Sequence, residues 1–378
     1  MTTVHAQARR NFIKHTALAL ASTAFPAINF AQTSPVQAAV ERKFSPQAGN
    51  WRTFEVTTRV DIVKPQGATR VWLPIPSVNT DWQKSLESSY SSNGQAVLTA
   101  DAQYGARMLH VAFAENEAKP FVELTSRIQT QNRVMDGSKK PVTAEDRADL
   151  HYWTQPTDLL PTDGIVRQTA LEATQGARTD VEKAQKLYDW IIANTFREPK
   201  VRGCGEGDIK SMLETGNLGG KCADLNALFV GLCRAVGLPA RDVYGLRVAP
   251  SAFGYKELGG NSTSLKGAQH CRAEVFLKGR GWVGMDPADV AKVMRQETPE
   301  WIKSPQHALV APVNKALFGG WEGNWMAYNT AHDVALPHSK GPKLGFLMYP
   351  TAENDAGRLD SYAPDDFKYQ ISAKEIKA

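Results

Sequence analysis

Four cysteines occur in the 378 residues, at positions 204, 222, 233 and 271. Cys222 follows Gly219-Gly220-Lys221 and opens a helical pattern with an apolar stripe at Leu225, Leu228, Phe229, Leu232 and Val236. Gly237 and Pro239 end that helix. A thiol on a first turn meets free N–H groups and the positive end of the helix dipole, and both favour the nucleophilic thiolate. The preceding glycines let another backbone come close. Cys233, four residues after Phe229 and three before Val236, reads as a core residue. Taken alone, Cys222 fits a nucleophile or a core cysteine equally well.

A partner for it lies downstream. In AQHCRAEVFL (268–277), Cys271, Ala273, Val275 and Leu277 alternate with His270, Arg272, Glu274 and Phe276. That period marks a strand. Lys278-Gly279-Arg280-Gly281 is a turn, and Trp282 to Asp286 is a second strand ending at Pro287. A short-loop hairpin brings Asp286 within a few residues of His270 on the neighbouring strand. A carboxylate there can orient an imidazole. A lone strand histidine reads as surface. Joined to a helix-opening cysteine and a carboxylate, it supplies the nucleophile, base and orienting acid of a Cys-His-Asp arrangement.

GGKCADLNALFVGLCRAVGLPAR (219–241), AQHCRAEVFL (268–277) and GWVGMDPADV (281–290) together resemble the transglutaminase-like superfamily. Its pattern is a Gly-x-Cys opening a helix that ends in Gly-[Ile/Leu]-Pro-Ala-Arg, then a strand His, then Gly-Trp followed by Asp-Pro. The resemblance implies an α+β fold with a papain-like core, and a triad carried by Cys222, His270 and Asp286. It also implies a reaction. A Cys222 thiolate paired with the His270 imidazolium attacks a carboxamide or peptide carbonyl. Backbone N–H groups, including that of Cys222, take the oxyanion charge, and removing one such donor typically costs about 2.7–4 kcal/mol. His270 protonates the leaving amine, water or an amine releases the thioester, and Asp286 fixes the imidazole tautomer. Cys271, directly after His270, departs from the family pattern and is expected to be inert on the buried face.

Other signals carry less. Gly219-Gly220-Lys221 lacks the spacing of a phosphate loop. His332, Asp333 and His338 match no metal-ligand spacing, and no Cys-x-x-Cys pair exists, so neither a metal nor a cofactor is expected. Arg234 and Arg241 read as structural. Arg272 and Glu274 are expected to pair with each other or to line the cleft.

The elements that must position this chemistry can be read in outline. Alternation at Phe54–Ile62, Val71–Ile75 and Val122–Thr130 indicates an antiparallel β-sandwich over residues 48–140. Ala184, Leu187, Tyr188, Ile191 and Ile192 form one face of a helix that starts near Asp180. The catalytic core is expected over 150–300, joined through a polar stretch at Glu145–Asp163. Residues 301–378, with a strand at Phe367–Ile371, are read as an extension packing on the core.

Composition bounds the rest. The chain is 42% hydrophobic, which excludes a disordered chain. No run of about 20 apolar residues follows the N-terminus, so no membrane span is expected in the mature chain. Ala8-Arg9-Arg10-Asn11-Phe12-Ile13-Lys14, then a modest apolar stretch to Ala31, reads as a twin-arginine signal over residues 1–38. Residues Val36 to Ala38, or Ala31, offer cleavage sites. Export to a periplasm by the twin-arginine machinery follows. Losing Arg9, Arg10 and Lys14 from a formal +5 leaves about +2, too weak a balance to suggest nucleic acid as a partner. The expected partner is a protein or peptide substrate. Two alternatives stand beside the hydrolytic reading: a protein cross-linker, and a non-catalytic periplasmic binding or scaffold protein that keeps the fold. Disulfide pairing of Cys222 with Cys204 or Cys271 is a further possibility in an oxidising compartment.

Overall fold

The computed structural model describes residues 42–63, 65–135 and 147–377. The twin-arginine segment with its cleavage sites, and the boundary placed at residue 140, lie outside the described residues. No helix among the described residues is long and apolar enough to cross a membrane.

The architecture is α+β. Two antiparallel sheets form a sandwich beside a helix-and-sheet core. The first strands are β1 (Arg52–Asp61), β2 (Thr69–Pro74), β3 (Gln83–Ser92), β4 (Gln95–Ala100), β5 (Arg107–Phe113) and β6 (Phe121–Thr130). In β1, buried Phe54, Val56, Thr58 and Val60 alternate with half-exposed neighbours, as a sheet wet on one face requires. Phe54 and Val60 share a core cluster with Val71, Leu109 and Val111 of the facing sheet.

The core follows. Its elements are α1 (Arg147–Tyr152), α2 (Gly164–Ala173), α3 (Asp180–Asn194), β7 (Phe196–Arg197), α4 (Ile209–Thr215), β8 (Gly219–Gly220), α5 (Cys222–Ala235), β9 (Ala240–Arg247), β10 (Gln269–Leu277), β11 (Gly281–Met285) and α6 (Pro287–Gln296). The polar connection thus contains the short helix α1. Helix α3 starts in a capping box: Thr179 accepts from the Glu182 N–H, and the Glu182 carboxylate accepts from the Thr179 N–H. Its buried residues are the five of the apolar stripe. Each large aliphatic among them contributes about 1.5–3 kcal/mol by burial. Gly237, at φ +82°, follows the end of α5 in the left-handed region that glycine favours.

The C-terminal part supplies α7 (Ala311–Leu317), β12 (Phe318–Gly319), β13 (Trp325–Asn329), β14 (His332–Val334), β15 (Leu344–Phe346), β16 (Thr351–Asn354), β17 (Gly357–Arg358), α8 (Pro364–Phe367) and β18 (Tyr369–Ile376). It does more than pack on the core. The core sheet runs β12-β11-β10-β9-β13, one sandwich sheet runs β18-β1-β6-β3, and the other runs β17-β16-β2-β5-β4. The tail therefore supplies edge strands to the core sheet and strands to both sandwich sheets. Period-two patterns in the tail are too short to announce this, because each strand is completed by partners far away in sequence.

Strand β10 also differs from the expected alternation. It is buried along almost its whole length, because helix α5 covers one face and tail aromatics cover the other. Its charged residues are individually neutralised. Arg272 and Glu274 do not pair with each other. Arg272 lies over the rings of Trp321 and Trp325, at 5.1 and 4.6 Å. Glu274 receives the guanidiniums of Arg133, which follows β6, and Arg241 on β9. Burial opposes its ionisation, but Arg241 and Arg133 outweigh it and hold the carboxyl down at about 2. Replacing Glu274 by Ala is expected to destabilise the fold by about 3 kcal/mol, since two half-buried cations lose their counterion. Urea unfolding checks this, and a loss below about 1 kcal/mol contradicts the ion-pair account.

Candidate active site

Helix α5 places Cys222 at its first position, 4% exposed. What holds that helix start is Asp224. One carboxylate oxygen accepts the Lys221 N–H at 2.8 Å, and the other accepts the N–H groups of Glu206 and Gly207 at 2.9 and 3.0 Å. The 203–207 loop is thereby wrapped around the helix terminus. A Cβ on Gly205 would lie 1.9 Å from the Asp224 carboxylate, which explains the glycine there. The same wrapping sets Cys204 against Cys222: the Ala223 N–H donates to the Cys204 carbonyl at 2.9 Å.

The β10–β11 register pairs Ala273 with Met285, so Asp286 emerges opposite the start of β10. It also caps α6, accepting the Asp289 N–H at 3.1 Å. The His270 Nε2–H donates to Asp286 Oδ2 at 2.7 Å, and Asp289 Oδ2 lies 3.3 Å from the same nitrogen. With Nε2 held by carboxylates, Nδ1 is the nitrogen left for Cys222, which is in hydrogen-bonding contact with the imidazole. The structure thus brings together Cys222, His270 and Asp286, from a helix start, a strand and a strand end.

Several supporting residues were not singled out from sequence. Asn226, one turn after Cys222 and fully buried, donates to the Cys271 carbonyl at 2.9 Å and to Asp286 Oδ1 at 3.1 Å. A polar residue inside an apolar helix, four positions from the cysteine, was the available signal. Arg247 donates to Asp289 at 2.5 Å and to the Leu258 carbonyl at 2.8 Å. Arg272 Nε lies 3.4 Å from Asp286. The Trp325 indole N–H donates to the His270 carbonyl at 2.8 Å. Nothing local in the sequence announces these four contacts.

Electrostatics follow from this packing. Burial and the Arg247 guanidinium oppose the imidazolium, but Asp289 and Asp286 prevail and raise His270 to about 9. Hydrogen bonds from the Cys204 and Cys271 thiols, joined by His270, hold Cys222 well below the ordinary thiol range against the cost of burial. The two donor thiols are driven up in turn: Cys204 by its bond to Cys222 and by burial, Cys271 by burial and by Cys222. Cys271 is fully buried, on the face where the sequence placed it. All four cysteines are free thiols in this structure, and Cys233 is buried in the core.

Among the described residues, His270, Asp286 and Asp289 also form a compact set of ligand-type groups within 4.8 Å. Arg247 and Arg272 already meet the two carboxylates, so a divalent cation there would face two guanidiniums. The set fits an imidazolium better than a metal. His332, the other metal candidate, is buried 3.4 Å from Asp242, away from this cluster. Arg234 bonds the carbonyls of Ala240 and Gln155, a structural role as expected.

Fold and site together define an α+β protein with a buried thiol, imidazole and carboxylate at the meeting of one helix and one sheet. The chain belongs to the transglutaminase-like superfamily, whose core pattern matches residues 167–287. It is 33% identical over 343 residues to an uncharacterized protein of Haemophilus influenzae, covering 85% of this chain and 91% of that one. Among solved structures it is similar to a protein of Cytophaga hutchinsonii proposed to be a cysteine protease, with 16% identity and a TM-score of 0.48 over 86% of this chain and 99% of the other. It is also similar to the periplasmic domain of TgpA from Pseudomonas aeruginosa, with 17% identity and a TM-score of 0.34 over 68% and 96%.

Proposed function

We propose that the protein is a thiol-dependent acyl-transfer enzyme that opens amide or peptide bonds through a Cys222 thioester. The observation that carries this reading is the alignment of a helix-opening thiol with an imidazole whose far nitrogen is held at 2.7 Å by Asp286. The thiolate attacks the carbonyl carbon, and the C–N bond breaks as His270 gives its proton to the leaving amine. Water, deprotonated by the now neutral His270, then attacks the thioester and restores the thiol pair. Asp286 keeps the imidazole in one tautomer and stabilises its charged form. The Cys222 N–H, one of the first N–H groups of α5 and so without an acceptor in its own helix, is the oxyanion donor the geometry offers. The mature enzyme works outside the cytoplasm after twin-arginine export, on peptide or protein substrates.

The test is a screen of short peptides and glutamine peptides for amine or ammonia release, with Cys222→Ala as control. Turnover in the wild type, a hydroxylamine-sensitive mass adduct on Cys222, and loss of both in the variant are expected. Turnover that survives in Cys222→Ala overturns the reading. A folded wild-type protein with no adduct and no turnover favours the binding-protein alternative. Adding a primary amine separates the remaining two: amine incorporated in place of water identifies a cross-linker.

A further inference from the structure

The cavity at Cys222 holds about 280 Å³ and is lined by five cationic side chains: Arg197, Lys221, Arg247, Lys266 and Lys292. Three have carboxylate partners: Arg247 is bound to Asp289, Lys292 lies 3.3 Å from Glu257, and Lys266 reaches Asp365. Arg197 and Lys221 have none among the described residues. Arg197 spends its Nε on the neutral Gln296 side chain at 2.9 Å, and Lys221 directly precedes the nucleophile. Both are half-buried, and burial and Arg197 push Lys221 below its ordinary value against the opposing pull of Cys204, Cys222 and Asp224. Two unpaired cations confined beside each other repel, a cost that an anion between them removes. Asp289, the only carboxylate on the cavity wall among the described residues, is already committed to Arg247 and His270.

We infer that Arg197 and Lys221 form a carboxylate-binding subsite, and that the substrate is a short peptide or amide bearing a free carboxylate within about one residue of the scissile bond. The inference rests on Cys222 being the nucleophile and adds a substrate class to it. The cavity lies just below the roughly 300–1,000 Å³ of ordinary ligand pockets, room for a residue or two beside the reacting carbonyl. Peptide amides carry a carboxylate at a C-terminus or an acidic side chain, and either satisfies the site.

Iodoacetate and iodoacetamide test this, because they differ by one negative charge at nearly the same size. Rates are read at Cys222 by peptide mass spectrometry. The iodoacetate-to-iodoacetamide ratio is expected to exceed that of glutathione by about tenfold or more. It should fall about tenfold in Arg197→Gln/Lys221→Gln, and also in the wild type on raising salt from about 0.05 to about 0.5 M. An unchanged ratio in the variant, with iodoacetamide still attacking near pH 6, overturns the anion subsite and leaves the nucleophile standing. If iodoacetamide finds only an ordinary thiol, the nucleophile reading falls instead. The subsite is then decided by titrating Cys222→Ala with N-acetylglycine and N-acetylglycinamide. Binding of the acid alone, lost when Arg197 and Lys221 are both Gln, supports it; equal binding or none overturns it.

Discussion

Replacing His270 by Ala is expected to slow alkylation of Cys222 at pH 7 by up to about 30-fold, the limit set by a thiol with the ordinary value near 8.5, only about 3% ionised there. In the wild type, reactivity begins where Cys222 ionises, well below that value. The thiolate–imidazolium pair persists until His270 loses its proton at about 9. Turnover is therefore expected to rise as the thiol ionises and fall as pH passes about 9, since His270 can then no longer protonate the leaving amine. In His270→Ala turnover should be lost, and the rising limb of alkylation should move up toward that of a free thiol as far as Cys204 and Cys271 allow. A pH series of iodoacetamide rates on both proteins checks this. Identical curves would show that the Cys204 and Cys271 thiols, not the imidazole, set the state of Cys222.

The second large effect concerns Arg247. Its guanidinium, 3% exposed, neutralises Asp289 behind the His270 imidazole. Arg247→Met keeps much of the volume but strands a buried carboxylate, and a loss of about 3–5 kcal/mol in unfolding free energy is expected. Arg247→Met/Asp289→Leu removes both charges and should recover most of that loss, because an apolar pair there has no unpaired charge. The double variant also deprives His270 of a carboxylate while removing a repelling cation. Its imidazole should shift less than in Asp286→Leu, which loses the 2.7 Å partner. Chemical denaturation reads the first effect, and histidine NMR titration the second.

These results bear on what the sequence could disclose. The helix of Cys222, the strand of His270 and the hairpin ending at Asp286 were legible because each follows from residues close together in the chain. The register adds only which residue faces which. Strand β10 was misread in one respect. Alternation of charged and apolar residues implies one wet face, but Arg272 and Glu274 are buried with partners from the tail, from β9 and from the segment after β6. Asn226, Asp289 and Arg247 were not singled out because their roles depend on contacts between separate elements. Arg197 and Lys221 gain meaning only from sharing a cavity wall. In the tail, β13, β16 and β18 lie in three different sheets, and no local pattern assigns them there.

The placement of β18 has a consequence for how the chain reaches this structure. Arg52 on β1 pairs with Glu375 on β18 across 323 residues. The sheet holding β1 cannot be completed until β18 has left the ribosome. Contacts this remote raise the contact order, slow the search and leave β1 with an open edge in the meantime. Completion of this sheet thus waits for β18.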